Sequence, residues 1–306
     1  MSARAPAGLQ TPAARQGPGP IPRPLVDALD LAVNRLVARA LPGDRRAAGV
    51  GLGTELAQLR PYEIGDDVRR IDPAATARTA IPHVRLHVPE RAMTTWIALD
   101  VSPSMAFGTA QRLKADVAEG VALVFGRLGI RRAGSVGMVS FGASAAHIVP
   151  PRGSKPGIVA LRRTLDAGVA PDGEHDQNGL AGALGTLGRL ATQPGLVVVV
   201  SDFREQSRWE RPLGALRVHH AVLAIEISDP RESELPAVGH LRLVDPETGA
   251  QVEIDTSLRR VRERFAELEQ ERRERIATEL RRLRVDHVEL STERDWLLDL
   301  GRRLRR

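Results

Sequence analysis

The chain has 306 residues, 42% of them hydrophobic, no cysteine and a net charge of +6. This length and apolar content support a buried core for one large or two ordinary domains. The absent cysteines exclude disulfides, a thiolate nucleophile and a Cys-ligated zinc site, and make a reducing cytoplasm the expected location.

In chain order, residues 1–24 are rich in Ala, Pro and Gly with scattered Arg and no apolar core, the composition of a disordered leader rather than a signal sequence. Leu25, Leu29, Leu36 and Val37 then have helical spacing, ended by Leu41-Pro42-Gly43. The block from Arg60 to Pro73 contains Arg60, Tyr62, Gly65, Asp66, Asp67, Arg69 and Asp72, with Arg78 shortly after. It reads either as a surface loop with ion pairs worth ~0–1 kcal/mol each, or as an Arg–carboxylate clamp on the sheet, since bidentate pairs fix geometry. Val84–Val88 reads as a strand, so residues 25–92 form an N-terminal extension to the remainder of the chain.

From Met93 strands and helices alternate. The strand ending at Asp100 leads to a helix carrying Leu113, Val117, Val121, Val124 and Leu128. Ser135–Phe141 and Ala145–Val149 suit a hairpin through Gly142, and Ile158, Leu161 and Leu165 mark a helix. A further helix holds Leu180, Leu184 and Leu187, followed by the apolar strand Leu196–Ser201 and a strand over Val218–Glu226. Leu241–Ile254 reads as a hairpin around Asp245–Gly249, inside an insertion spanning 229–256. Ser257 then caps a long helix, Val285–Leu290 is the last strand, and Thr292 caps a terminal helix. The longest apolar run, Leu196–Val200, falls far short of the ~18 residues that indicate a membrane helix. The expected architecture of residues 93–306 is therefore α/β, a doubly wound, mostly parallel sheet flanked by helices.

Such sheets bind ligands beyond the carboxyl ends of their strands, where the strand order reverses. Two strand ends carry acids there, Asp100 in Leu99-Asp100-Val-Ser102-Pro-Ser104-Met105 and Asp202 in Ser201-Asp202-Phe203. If the strands are neighbours, Asp100, Ser102, Ser104 and Asp202 converge as hard oxygen ligands suited to Mg²⁺ or Mn²⁺. Taken singly, each has an ordinary use as a helix cap or turn residue.

These two segments resemble a von Willebrand factor A domain with its metal-ion-dependent adhesion site. Together with the Arg60–Asp72 block, Ala77-Arg78, Asp229-Pro-Arg-Glu232, Val244-Asp-Pro-Glu-Thr-Gly249 and Leu290-Ser-Thr292-x-x-Asp295-Trp296, they resemble the bacterial family of unknown function numbered fifty-eight. The resemblance implies a cation held by Asp100, Ser102, Ser104 and Asp202, a ligand from a third loop, and a protein partner whose acidic residue fills the open position. It also implies association with MoxR-type AAA+ ATPases. Where the family places Thr in the third loop this chain has Gln177-Asn178-Gly179, which leaves Asn178 as the candidate ligand, and Pro73 stands where a Trp is usual.

The expected function is thus a non-catalytic, metal-dependent interaction module acting as an adaptor or assembly factor. Two alternatives belong to other classes. One is a Mg²⁺-dependent phosphohydrolase with Asp100 as nucleophile, although Ser102 occupies the i+2 position where a D-x-D enzyme has its second acid and no phosphate-binding glycine loop occurs. The other is nucleic-acid binding through the Arg-rich long helix, countered by its interleaved Glu residues, with Glu269–Arg273 and Glu271–Arg275 as expected i,i+4 pairs.

Overall fold

The computed structural model describes residues 15–41, 55–64, 66–88, 93–144, 146–173, 176, 178–205 and 207–305. The chain divides into two compact units, Met1–Leu41 with Met93–Arg306, and Pro42–Ala92.

The larger unit is built on strands β3 (Thr94–Asp100), β4 (Ser135–Phe141), β5 (Ile148–Gly153), β6 (Leu196–Ser201), β7 (Ala221–Ser228) and β10 (Asp286–Ser291). They form one sheet in the order β10-β7-β6-β3-β4-β5. All neighbours are parallel except β4 and β5. Because β3 runs to β4 on one side while the chain returns to β6 on the other, the order reverses between β3 and β6.

Strand period and burial fix the register. Ile97 and Leu99 enter one core layer and Trp96 and Ala98 the other, and Val198 and Val200 alternate in the same way with Val197 and Val199. A one-residue slip would exchange the two layers along the whole strand. The first layer is covered by α1 (Arg23–Ala40), α3 (Lys114–Gly129), α4 (Ser154–Asp166) and α8 (Trp296–Arg303), the second by α5 (Gly179–Leu190), α6 (Glu210–His219) and α7 (Arg259–Arg282).

Several expectations are corrected. Residues 15–22 are not loose: the Gln16 and Gly17 amides donate to Asp116 at 3.1 and 2.8 Å, and the Pro18 carbonyl accepts from Arg112 and Trp296 at 2.8 and 3.0 Å. The helix α1 buries Val26, Leu29, Val33 and Leu36 in the larger unit's core, so it groups with that unit rather than with residues 42–92. The hairpin strand expected at Ala145–Val149 runs over Ile148–Gly153. Ser257 does not cap α7; its hydroxyl donates to Asp255 at 2.6 Å and the helix begins at Arg259. Nor does Thr292 cap α8, which starts on Asp295, whose carboxylate accepts from the amides of Leu297 and Leu298.

The smaller unit pairs β1 (Glu55–Pro61) antiparallel with β2 (His83–Val88), connected through a 3₁₀ turn at Val68–Arg70 and α2 (Pro73–Thr79). In the larger unit the 229–256 segment holds a 3₁₀ turn at Pro230–Glu232 and the antiparallel pair β8 (His240–Val244) and β9 (Gln251–Asp255).

Candidate metal site at the strand-order reversal

Asp100 ends β3 and Asp202 directly follows β6, so the reversal point brings together the two acids that lie about a hundred positions apart. Asp100 is buried, accepting from the Ser102 amide at 2.9 Å and from the Ser201 hydroxyl at 2.6 Å. The Ser102 and Ser104 hydroxyl oxygens are 3.0 Å apart, and Ser104 donates to Asp202 Oδ2 at 2.9 Å. The loop after β6 is shaped by Phe203, at φ 51°, a conformation that is strained for a bulky side chain. Its buried ring packs edge-on against Trp209 at 5.5 Å.

Asp100, Ser102 and Ser104 open on a cleft of about 670 Å³, walled by Asp176, Arg204, Glu205, Ser207 and the β8–β9 turn, Asp245–Thr248. The donor set is all oxygen, two hydroxyls and two carboxylates on one loop pair, which fits a hard divalent cation. A cation bound there would be held by Ser102, Ser104 and the two acids.

The acids differ in charge. Burial, then the nearby charge of Asp202, pushes Asp100 up to about 7, against the hydrogen bonds from Ser102 and Ser201. For Asp202 burial also acts upward, but Lys114, with Arg204 behind it, holds the carboxyl below its ordinary value. Because native Asp100 holds a proton that the unfolded carboxyl has lost, its contribution to stability is present at low pH and disappears as pH rises from about 4 to about 7. In EDTA, Asp100→Asn should therefore gain on the wild type by on the order of 2 kcal/mol between pH 5 and pH 8. Thermal unfolding at the two pH values reads this, and a constant difference would refute the assignment.

The remaining predicted ligand, Asn178, does not join the site. It is exposed, its amide donates to Asp176 at 2.9 Å, and among the described residues of the third loop Asp176 lines the cleft and also accepts from the Gly142 amide at 3.1 Å. Gln177 lies outside the described residues. Glu205 accepts the Leu180 amide at 2.8 Å on each oxygen and so caps α5. Its carboxyl is raised by burial, and the charges of Glu247 and Asp176 add to the effect against the hydrogen bonds it accepts.

Sequence reasoning missed the ionic shell behind the oxygens. Lys114 is completely buried and donates to Asp202 Oδ2 at 2.6 Å and to Glu232 Oε1 at 2.5 Å. Arg204 grips Glu269 with both terminal nitrogens at 3.1 and 2.9 Å, and Arg272 donates to Glu269 at 3.2 Å and to the Asp202 carbonyl at 3.3 Å. Glu269 thus turns inward to the site instead of pairing with Arg273 along the helix, and Arg264 takes Glu271. One signal was available: Lys114 is one of only two lysines in a chain whose other 42 basic residues are Arg, and it stands at the first position of a helix, against the dipole.

The Arg60–Asp72 block separates into local contacts within the smaller unit. Arg60 pairs with Asp66 at 2.8 Å, the Tyr62 amide donates to the Pro82 carbonyl, Asp67 accepts the Arg69 amide, and Asp72 caps α2 through the Ala75 amide. Among the described residues Arg60 also lies 3.6 Å from Glu63, so its ion pairs are to two local acids rather than one bidentate carboxylate; the side chains of Arg69 and Arg78 are exposed, and Gly65 lies outside the described residues. A separate group, Glu226, His287 and Glu289 on β7 and β10, brings one potential ligand atom from each within 4.8 Å of the others. His287 Nε2 is 3.0 Å from Glu226 Oε2 there, and Arg272 is 3.6 Å from Glu226 Oε1.

A family model described as "Protein of unknown function DUF58" matches residues 58–275. The chain belongs to this family. Uncharacterized protein Rv1480 of Mycobacterium tuberculosis H37Rv is 36% identical to this DUF58 chain over 277 residues, covering 90% of it and 86% of the relative. Uncharacterized protein MAV169 of Mycobacterium avium is 37% identical over 157 residues, half of this chain and 90% of that protein. Among solved structures, the conserved hypothetical protein BatB from Bacteroides thetaiotaomicron aligns with a TM-score of 0.44 at 12% identity, over 70% of this chain and 97% of that one. The SpRpn10 VWA domain aligns with a TM-score of 0.32 at 15% identity, over 45% and 76%. The larger unit of the DUF58 chain is a helix-flanked, mostly parallel sheet with one antiparallel edge and the Asp-Ser-Ser loop at its order reversal. Among the described residues, no helix is long and apolar enough to cross a membrane.

Proposed function

We propose that this DUF58 chain is a non-catalytic protein-interaction module that takes Mg²⁺ or Mn²⁺ at Asp100, Ser102, Ser104 and Asp202 and completes the ion with a carboxylate from its protein partner. The observation that supports this reading is the contact between Ser102, Ser104 and Asp202, an all-oxygen set whose Ser102 and Ser104, with Asp100, line a cleft wide enough for a partner side chain. Both Asp100 oxygens are engaged by Ser102 and Ser201, which suits a positioned ligand better than a free nucleophile. The finer proposal, an adaptor or assembly factor working with a MoxR-type AAA+ ATPase, rests on the family resemblance and on general reasoning by analogy.

Calorimetric titration with Mg²⁺ and Mn²⁺ tests the site. Wild type should bind, Ser102→Ala and Asp202→Ala should lose at least about tenfold in affinity, the equivalent of ~1.4 kcal/mol, and Glu226→Gln should bind as wild type does. Binding that survives the first two substitutions and vanishes with the third would place the cation at the β7–β10 edge and overturn the reading. Capture of a purified MoxR-type ATPase on the immobilised chain, in Mg²⁺ and not in EDTA, tests the partner.

A further inference from the structure

Lys114 has no counterpart in the function proposed above, which needs only oxygens. A lysine ammonium inside a protein is costly unless paired and hydrogen-bonded, and this one is fully buried with its nitrogen between Asp202 and Glu232. The three charges come from separate places: the loop after β6, the turn that opens the 229–256 segment, and the first residue of α3. Around it, Arg204 lies against Glu232 and Glu269 and Arg272 against Glu269 and Glu226, so two guanidinium groups face three carboxylates and the ammonium is shared between Glu232 and Asp202. Asp202 thus has a direct positive partner on the same oxygen that accepts the Ser104 hydroxyl.

We infer that Lys114 is the built-in counter-ion of this site: its ammonium holds the Asp202 carboxylate in place beside Ser104 in the absence of metal, and it sets the affinity for a divalent cation low. The inference rests on the metal-site reading. The ammonium and an arriving cation would share one carboxylate, and their repulsion is set against every cation that binds. Removing a unit charge a few ångströms from a doubly charged ion is worth about tenfold in affinity even with the screening of bulk water, and more in a buried site. The same contact makes the site self-supporting, so the wild-type fold does not depend on metal.

The experiment compares wild type, Lys114→Met, and the double variant Lys114→Met with Glu232→Gln, which removes one buried carboxylate along with the ammonium and guards against failure to fold. Each is titrated with Mn²⁺ by calorimetry and melted in EDTA and in Mn²⁺. The expected result is Mn²⁺ affinity at least about tenfold tighter in Lys114→Met than in wild type, with a smaller gain in the double variant, which also loses a neighbouring negative charge, and the gain is lost again when Ser104→Ala is added. Mn²⁺ should also raise the melting temperature of both Lys114 variants by several degrees more than that of wild type. Wild-type binding with equal or weaker binding in the variants would overturn the role of Lys114 and leave the metal site standing. Absence of Mn²⁺ binding in wild type and variants alike would overturn both.

Discussion

Replacing Asp229 by alanine should cost about 3–5 kcal/mol of folding stability and lower the melting temperature by on the order of 10 °C. The residue is outside the candidate metal site but ties its surroundings together. Its carboxylate is fully buried and accepts from the Thr109 amide at 2.8 Å, the Thr109 hydroxyl at 2.6 Å, the Thr292 hydroxyl at 2.6 Å and the Arg231 amide at 2.9 Å. Those partners come from the loop before α3, the turn after β7 and the loop before α8, and truncation leaves several of them buried without an acceptor. Asp229→Asn, which retains one acceptor oxygen, should lose roughly half as much. Burial works to raise the Asp229 carboxyl, but the hydrogen bonds from Thr109, Thr292 and Arg231 hold it below its ordinary value. Its stabilisation is accordingly present above the unfolded carboxyl value and is lost as pH falls through the folded one. Urea unfolding at pH 7 and at about pH 2 measures both effects; a loss below about 1 kcal/mol at pH 7 would show that the loops hold without this carboxylate.

The same residue explains where sequence reading succeeds and where it stops. Alternating strands and helices, the apolar run Leu196–Val200, and acids at two strand ends are local patterns, and each survives folding because strand period and burial enforce it. Asp100, Ser102, Ser104 and Asp202 are legible as a set for that reason. Thr292 reads as a helix cap because a hydroxyl before an apolar helix usually is one, but a buried carboxylate is the stronger acceptor and draws the hydroxyl to Asp229. Asp295, three positions later, takes the cap. The roles of Asp176 and Lys114 at the site are not legible, since Gly142 and Asp202, which place them there, lie on elements distant in sequence; the rarity of lysine marks Lys114 but does not state its pairing. The inward turn of Glu269 is of the same kind: an i,i+4 partner is within reach along the helix, yet Arg204 offers a bidentate, partly buried contact that the exposed pair cannot match.

Gly142 provides the second large effect, because there the fold and the site meet in one backbone atom. It follows β4 at φ 90°, and a Cβ added to it would lie 2.7 Å from both the Cβ and the amide nitrogen of Ser102. Neither neighbour is a flexible side-chain end, so Ser102 itself must move. Gly142→Ala should cost about 2–4 kcal/mol, part from the left-handed backbone and part from the collision. If Ser102 is a ligand as proposed, the substitution should also weaken Mn²⁺ binding by at least about tenfold, because one hydroxyl is displaced while the other donors stay. Gly173 separates the two contributions: it has a similar φ of 85° but nothing within 4 Å of an added Cβ. Gly173→Ala should therefore lose only the conformational part, about 1 kcal/mol, and keep wild-type cation affinity. Urea unfolding and Mn²⁺ calorimetry on the pair distinguish strain from displacement. Equal stability losses in both variants, with cation affinity unchanged, would mean that Ser102 yields without cost and is not held where a ligand must be.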